Sequence, residues 1–197
     1  MSDPRHQKLA QVLIHYSLAL KPRDKLLILT QPAAAPLIYE IYRAALQVGA
    51  YPVVRLSLGT IPSPFALDGW TELKLREGND DQLRYLSELD KQEVEYHDAL
   101  LMILATDNTK GLSGIDPARI ALLQQTHAPL FKRFLERAAA DGARWCYTLY
   151  PTSAQAQDAG MSLEDYERFV FGAGLLDHDD PAAAWRAVHA QQQHIAD

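Results

Sequence analysis

The stretch that decides the fold runs from residue 25 to residue 58 and reads KLLILTQPAAAPLIYEIYRAALQVGAYPVVRLSL. It opens with the apolar run 25–30, which is too short for a helix and is typical of a strand buried on both faces. Residues 37–46 then place apolar side chains at helical spacing, and Gly49 is a natural helix end. The run 51–58 follows as a second strand. This pattern predicts one β-α-β unit, parallel and right-handed.

Two further apolar runs, ALLMILA at 99–105 and RWCYTL at 144–149, extend this unit into a larger sheet. We therefore expect four parallel strands of buried-strand composition, near 25–30, 52–58, 99–105 and 144–149. Because helical patterns separate these runs, helices should cover both faces of the sheet. The predicted fold is a Rossmann-like three-layer α/β domain, with a mostly parallel sheet of four or five strands and a helical carboxyl-terminal tail.

Several helix starts are marked by an aspartate placed directly before a proline. The pairs Asp3-Pro4, Asp116-Pro117 and Asp180-Pro181 combine a capping carboxylate with a residue whose φ angle is already helical. Helices are predicted over 4–20, 36–49, 117–140, 152–159, 163–173 and 182–196. Residues 59–78 are interrupted by prolines and glycines, so we expect a surface excursion without regular structure there.

Composition narrows the class of protein. The 197 residues are 48% hydrophobic and 22% charged, which is ordinary for one globular domain. Nineteen Lys and Arg against 25 Asp and Glu give a net charge of −6, and no basic cluster occurs, so we expect no nucleic-acid partner. The chain has no membrane-length apolar run and opens without the apolar core of a signal sequence. A cytoplasmic protein without a membrane partner is therefore expected.

The loops at the expected carboxyl edge of the sheet carry no strong chemical motif. Ligands of parallel sheets bind at that edge, but neither a dinucleotide-binding nor a Walker motif occurs there. Gly111 and Gly114 come nearest to a glycine loop, and a surface turn explains them better. Cys146, the only cysteine, should be a small buried thiol within a strand. His189 and His194 are five residues apart on a predicted helix, so they cannot share a metal.

The remaining histidines have ordinary explanations. His178 precedes two aspartates at a helix start, where capping and solvation account for it. His97 beside Asp98 favours a surface ion pair, and His15 favours a partly buried position in the first helix. From the residues alone, the sequence predicts neither a catalytic residue nor a metal ligand.

One stretch is specific enough to resemble a known family. Residues 144–171, RWCYTLYPTSAQAQDAGMSLEDYERFVF, are similar to the corresponding segment of the metallo-aminopeptidases typified by aminopeptidases T and S, also called leucyl aminopeptidases. The likeness centres on Tyr150-Pro151-Thr152 and on residues 156–162 and 164–166. It extends to residues 3–28, and it covers essentially the whole chain.

The resemblance implies a hydrolase that removes amino-terminal residues from peptides with two divalent metal ions, which would be zinc, cobalt or magnesium. Members of that family are longer, and their metal ligands lie in a carboxyl-terminal domain. No position here matches such a ligand, so the resemblance implies no catalytic residue, metal ligand or cofactor in this chain. We expect residues 1–175 to form the amino-terminal α/β domain and 176–197 a connector helix toward an absent catalytic domain. The chain alone should be inactive.

The surface expected to face that catalytic domain is 150–166, with Tyr150, Gln157, Asp158 and Tyr166 as its contact residues. This segment follows the fourth strand, so it should emerge at the carboxyl edge of the sheet. The competing explanation is that both tyrosines pack locally and the aspartate solvates a turn. The resemblance further implies a homodimer, with peptide substrate bound through the catalytic domain. The alternative from a different class is a stand-alone α/β module for small-ligand binding or interaction.

Overall fold

The computed structural model describes residues 3–60, 69–140 and 142–196. The elements in chain order are α1 (Pro4–Gln11), a π-helical segment (Val12–Ser17), β1 (Lys25–Thr30), a 3₁₀ turn (Pro32–Ala34), α2 (Ala35–Val48), β2 (Tyr51–Leu56), α3 (Thr71–Glu77), α4 (Asp80–Arg84), α5 (Glu88–Tyr96), β3 (Ala99–Leu104), α6 (Pro117–Ala140), β4 (Arg144–Leu149), α7 (Ser153–Asp158), α8 (Leu163–Ala173) and α9 (Pro181–Ala196). This order of strands and helices confirms the α/β class.

Within the described ranges the strands form one parallel sheet in the order β2-β1-β3-β4. Leu27 of β1 pairs with Val53 on one side and with Leu100 on the other, and Leu101 of β3 pairs with Cys146. The chain moves outward from β1 to β2 and then crosses back to β3. The junction between β1 and β3 is therefore the topological switch point of the sheet.

Alternate side chains of the central strands build a hydrophobic core on each face. On one face, Ile28 and Leu101 pack with buried residues of α1, α2 and α8, including Phe171. On the other face, Leu29 packs with Phe134 of α6. Helices thus cover both faces of the sheet, and the predicted three-layer fold is confirmed.

The outer strand β4 is less buried than the sequence predicts. Trp145 and Tyr147 are 51% and 52% exposed, although both lie in a run that we expected to be buried. Cys146 points to the opposite face and is only partly buried, at the margin of the α1-side core. Burial still raises the pKa of its thiol. The reason is position, because an outer strand has a neighbouring strand on one side only.

The proline-rich stretch 59–78 contains a helix, contrary to our expectation. Within it α3 spans seven residues and buries Leu75 completely. Glu72 of this helix accepts a hydrogen bond from the backbone N–H of Thr60 at 2.6 Å, which ties α3 to the segment that follows β2. A helix of two turns is too short to give a clear periodic signal among prolines and glycines. Residues 61–68 lie outside the described residues.

The first predicted helix, 4–20, changes its type along its length. It is α-helical to Gln11 and continues as the π-helical segment Val12–Ser17. His15 is exposed on this segment rather than partly buried as predicted. A π-helical turn holds more residues than an α-helical turn, so it shifts the following side chains around the axis.

The carboxyl-terminal tail is anchored to the α/β unit. The Tyr16 hydroxyl donates a hydrogen bond to the carbonyl of Trp185 at 3.2 Å, and the Trp185 indole donates to the carbonyl of Gly174 at 3.0 Å. The predicted division at residues 175 and 176 stays a prediction. Among the described residues, no helix has the length and hydropathy that a bilayer-spanning segment needs.

Candidate functional site

The switch point between β1 and β3 is filled by the side chain of Gln31, which follows β1 directly and is 4% exposed. Its Nε2 donates to the carbonyl of Gly59 at 3.0 Å and to Oγ1 of Thr106 at 3.1 Å. Its Oε1 accepts from the backbone N–H of Ala105 at 2.9 Å. The cavity beside it measures about 40 Å³, which is room for roughly one water molecule. A substrate or cofactor does not fit there.

A larger opening lies along the same edge of the sheet, between the ends of β3 and β4. This β3–β4 cleft has a volume of about 550 Å³. The residues that line it include Thr60, Leu104, Thr106, Leu149, Asp158 and Tyr166. Its two leucines end neighbouring strands and supply apolar surface, while the other four side chains supply hydroxyl and carboxylate groups. Such a mixed lining suits contact with a polar partner or ligand.

A chain of hydrogen bonds holds the cleft in place. At the start of α7, the Thr152 hydroxyl accepts from the backbone N–H of Gln155, and the Gln155 side chain accepts from the backbone N–H of Thr152. This reciprocal pair is a capping box. The Thr152 hydroxyl also donates to the carbonyl of Thr106 at 2.5 Å. Since Thr106 bonds Gln31 as well, α7 and the switch point are fixed to the same loop.

Asp158 places an exposed carboxylate at the cleft. Its Oδ2 lies 3.3 Å from Nζ of Lys110. Hydrogen bonds from Thr109 and Lys110 hold the pKa of the carboxyl below its ordinary value. Asp158 is therefore ionised at neutral pH. Because the pair is exposed to solvent, it adds little to stability and remains accessible to a partner.

The structure brings together two of the four residues predicted to face a catalytic domain. Asp158 and Tyr166 line the cleft, whereas Gln157, which directly precedes Asp158 in α7, is exposed and does not line it. Tyr150 is partly buried against the α1-side core, and its ring lies 5.5 Å from the ring of His6. Local packing accounts for Tyr150, and burial raises the pKa of its hydroxyl. The facing role of the segment stays a prediction.

Gln31 and Thr106 were not singled out from the sequence. Gln31 directly follows β1 and Thr106 stands two residues beyond β3, and this position at the carboxyl ends of strands is the signal that could have drawn attention to them. A single glutamine or threonine forms no recognisable motif, however. Its importance depends on a partner about 75 residues away, as the bond between these two side chains spans that separation.

His6 is a buried titratable group at the same edge of the sheet. Its ring lies 5.5 Å from Tyr150 and 5.7 Å from Phe171, and its Nδ1 has no hydrogen-bond partner in the described residues. Burial lowers the pKa of the imidazole below its ordinary value of 6.5, against the opposing attraction of Asp3. The folded protein therefore favours the neutral ring.

This depressed pKa predicts a loss of stability in mild acid. Below about pH 6.5 the unfolded chain takes up a proton that the folded chain resists, so the free energy of unfolding should fall as the pH falls. Urea denaturation at several pH values between about 7.5 and 5 would measure this. The His6→Phe variant should show a shallower decline. An identical decline in both proteins would contradict the assignment.

The described residues do not fit a two-metal centre. They contain no group of three or more His, Cys, Asp or Glu side chains arranged to hold a metal ion.

The predicted surface ion pair between His97 and Asp98 does not form among the described residues. The imidazole of His97 is buried, and its Nδ1 lies 3.0 Å from the Glu93 carbonyl. Asp98 instead lies 3.3 Å from Nζ of Lys25.

Comparisons with known proteins agree with one another. The sequence model of the family described as thermophilic metalloprotease (M29) matches residues 2–197. Aminopeptidase 2 of Geobacillus stearothermophilus, a curated relative, is 25% identical over 199 residues, which cover 96% of this chain and 46% of that protein. Wild-type AmpT from Thermus thermophilus aligns with a TM-score of 0.71 at 19% identity, over 93% of this chain and 45% of that one. This structural likeness shows a shared fold. The chain spans about half the length of each protein.

Proposed function

The chain belongs to the thermophilic metalloprotease (M29) family, and from this premise we propose that it forms the amino-terminal α/β part of a metal-dependent aminopeptidase. The reaction would be hydrolysis of the amino-terminal residue from a peptide. The name of the curated relative, an aminopeptidase, supports this activity. The divalent ions would be zinc, cobalt or magnesium, held outside the described residues. We assign no chemical step to those residues.

The role proposed for this chain is structural support of the metal-holding part. One observation carries the proposal. The family match spans residues 2–197, yet the described residues contain no cluster suited to a metal ion. A chain that the family model matches along its length, but whose described residues hold no group of metal ligands, fits a scaffold better than a catalytic centre.

The β3–β4 cleft is our candidate for the surface that faces the metal-holding part. Asp158 and Tyr166 line it, and Gln157 is exposed beside it. Its position is firm because Thr152 and Thr106 bind α7 to the loop after β3. A preformed polar surface of this kind loses little conformational entropy when a partner docks.

The stand-alone small-ligand module is not favoured. In an open parallel sheet such a module would use the switch point, where Gln31 leaves a cavity of only about 40 Å³. The comparisons point to the M29 metalloprotease family, and they give no support for an independent binding protein of another class.

A homodimer, which the family resemblance implies, and a cytoplasmic location, which the sequence composition favours, complete the proposal. An exposed apolar groove between α2 and the outer strand β2 would suit a second copy of the chain. Tyr42, Leu46, Val54 and Leu56 contribute to its lining, and its volume is about 800 Å³. Contiguous apolar surface and a free strand edge are features that proteins commonly cover by association.

Metal analysis tests the scaffold proposal. After incubation with zinc, cobalt or magnesium and exhaustive dialysis, the tag-free 197-residue chain should retain far less than one ion per molecule, because three-ligand groups are missing from the described residues. Mass spectrometry of the metal content gives the stoichiometry. A chain unfolded in urea and dialysed in the same way controls for adventitious binding. Retention of a full equivalent by the folded chain alone would overturn the proposal.

A further inference from the structure

α1 and α2 leave a polar groove between them on the outside of the molecule. Its volume is about 440 Å³. The polar side chains that line it are Gln7, Lys8 and Gln11 of α1 and Glu40, Arg43 and Gln47 of α2. On each helix these positions follow the three- and four-residue spacing of one face. This α1–α2 groove shares no lining residue with the β3–β4 cleft, and it shares Arg43 and Gln47 with the apolar groove between α2 and β2.

Glu40 is the unusual member of the groove because its carboxylate is buried. The residue is 4% exposed. Its Oε2 lies 3.1 Å from Nη1 of Arg43 and accepts a hydrogen bond from it. Its Oε1 accepts none from any residue that the structure describes. A buried carboxylate oxygen without a donor is costly, and because Glu40 lines the groove, a ligand held there can supply the missing donor.

Two cations in the groove have hydrogen-bonding capacity to spare. Nζ of Lys8 donates to the carbonyls of Leu176 and His178, both at 2.9 Å, and an ammonium has three N–H groups. The guanidinium of Arg43 lies 4.6 Å from the centre of the Tyr39 ring, and only one of its five N–H groups is needed for Glu40. The groove therefore offers both an anionic acceptor and cationic donors.

We propose that the α1–α2 groove binds a free α-amino acid in its zwitterionic form. The ligand ammonium donates to Oε1 of Glu40, and the ligand carboxylate accepts from Arg43 and from the remaining N–H of Lys8. A purely cationic ligand would lie beside Lys8, which pairs with no carboxylate among the described residues of the groove, and a purely anionic ligand would approach the buried carboxylate of Glu40. The amides of Gln7 and Gln47 suit a polar side chain, as in asparagine. This inference does not depend on the proposed peptidase function.

Calorimetric titration of the 197-residue chain with three related probes tests the charge requirement. L-Asparagine carries both groups, succinamate lacks the α-ammonium, and L-asparaginamide lacks the α-carboxylate. We expect saturable binding of L-asparagine and at least about tenfold weaker binding of both analogues, since each loses a hydrogen bond to a charged group. Equal affinity for the three probes, or no saturable binding of L-asparagine, would overturn the proposal.

A pair of charge-matched variants locates the site. Glu40→Gln should weaken L-asparagine binding by at least about tenfold, because the amide is a poorer acceptor for the ammonium. Glu136→Gln removes an exposed carboxylate of α6 and should bind as the wild type does. Circular dichroism confirms that each variant is folded. Unchanged binding by folded Glu40→Gln would place the ligand elsewhere, and the analogue titrations on the wild type decide the matter if this variant does not fold.

Discussion

Replacement of Arg55 by methionine should lower the free energy of unfolding by about 3 kcal/mol. Arg55 extends from the outer strand β2 to α5, where its Nη2 lies 2.8 Å from Oδ1 of Asp90 and its Nη1 contacts Glu93. Asp90 is only 5% exposed, so loss of the guanidinium would strand a buried carboxylate. Urea denaturation of wild type and variant measures the difference.

An exposed ion pair provides the control for this prediction. Arg133 of α6 pairs with Glu95 of α5 in solvent, and Arg133→Met should cost no more than about 1 kcal/mol. The double variant with Arg55→Met and Asp90→Leu should regain part of the lost stability, since the stranded charge is removed. Equal losses from the two arginine variants would show that burial of Asp90 has no energetic consequence.

Gln31→Leu should lower the free energy of unfolding by about 2–4 kcal/mol. Leucine is similar in size but makes no hydrogen bond, so the N–H of Ala105 and the hydroxyl of Thr106 lose their partner inside the switch point. Loss of that contact should also loosen the loop that holds α7. Urea denaturation gives the stability, and amide hydrogen exchange in α7 reports the local effect.

Gln157→Leu is the matched control because it makes the same chemical change on an exposed residue of α7. Its stability should stay within about 0.5 kcal/mol of the wild type. If Gln31→Leu were as stable as this control, the hydrogen bonds of Gln31 would contribute nothing to the free energy of unfolding. The small size of the cavity at the switch point would then need another explanation.

The architecture could be predicted because its signals are local. Residues 26–29 and 99–105 are apolar throughout, and both runs became central strands buried on both faces. Positions of caps and prolines predicted most of the helices. The sequence indicated only weakly that β4 is an outer strand. Trp145 and Tyr147 alternate with Cys146, as is expected of a strand with one face open to solvent. We interpreted the run as buried because strand order does not follow from composition.

The site could not be predicted in the same way, because its contacts join distant parts of the chain. Gln31 meets Thr106 across 75 positions, and Lys110 meets Asp158 across 48. The resemblance drew attention to residues 150–166 as one segment. The fold divides that segment, placing Asp158 at the cleft and Tyr150 against His6. Sequence similarity identifies such a segment without showing which of its side chains face outward.

Hydrolysis of leucine p-nitroanilide by the purified 197-residue chain is the most direct test of the proposed scaffold role. If the metal centre lies outside the described residues, as we propose, the chain should release no p-nitroaniline above the buffer rate with zinc, cobalt or magnesium present. Turnover that survives repurification, requires one of these metals and disappears with a chelator would contradict the proposal, because it would place a working metal centre within this chain.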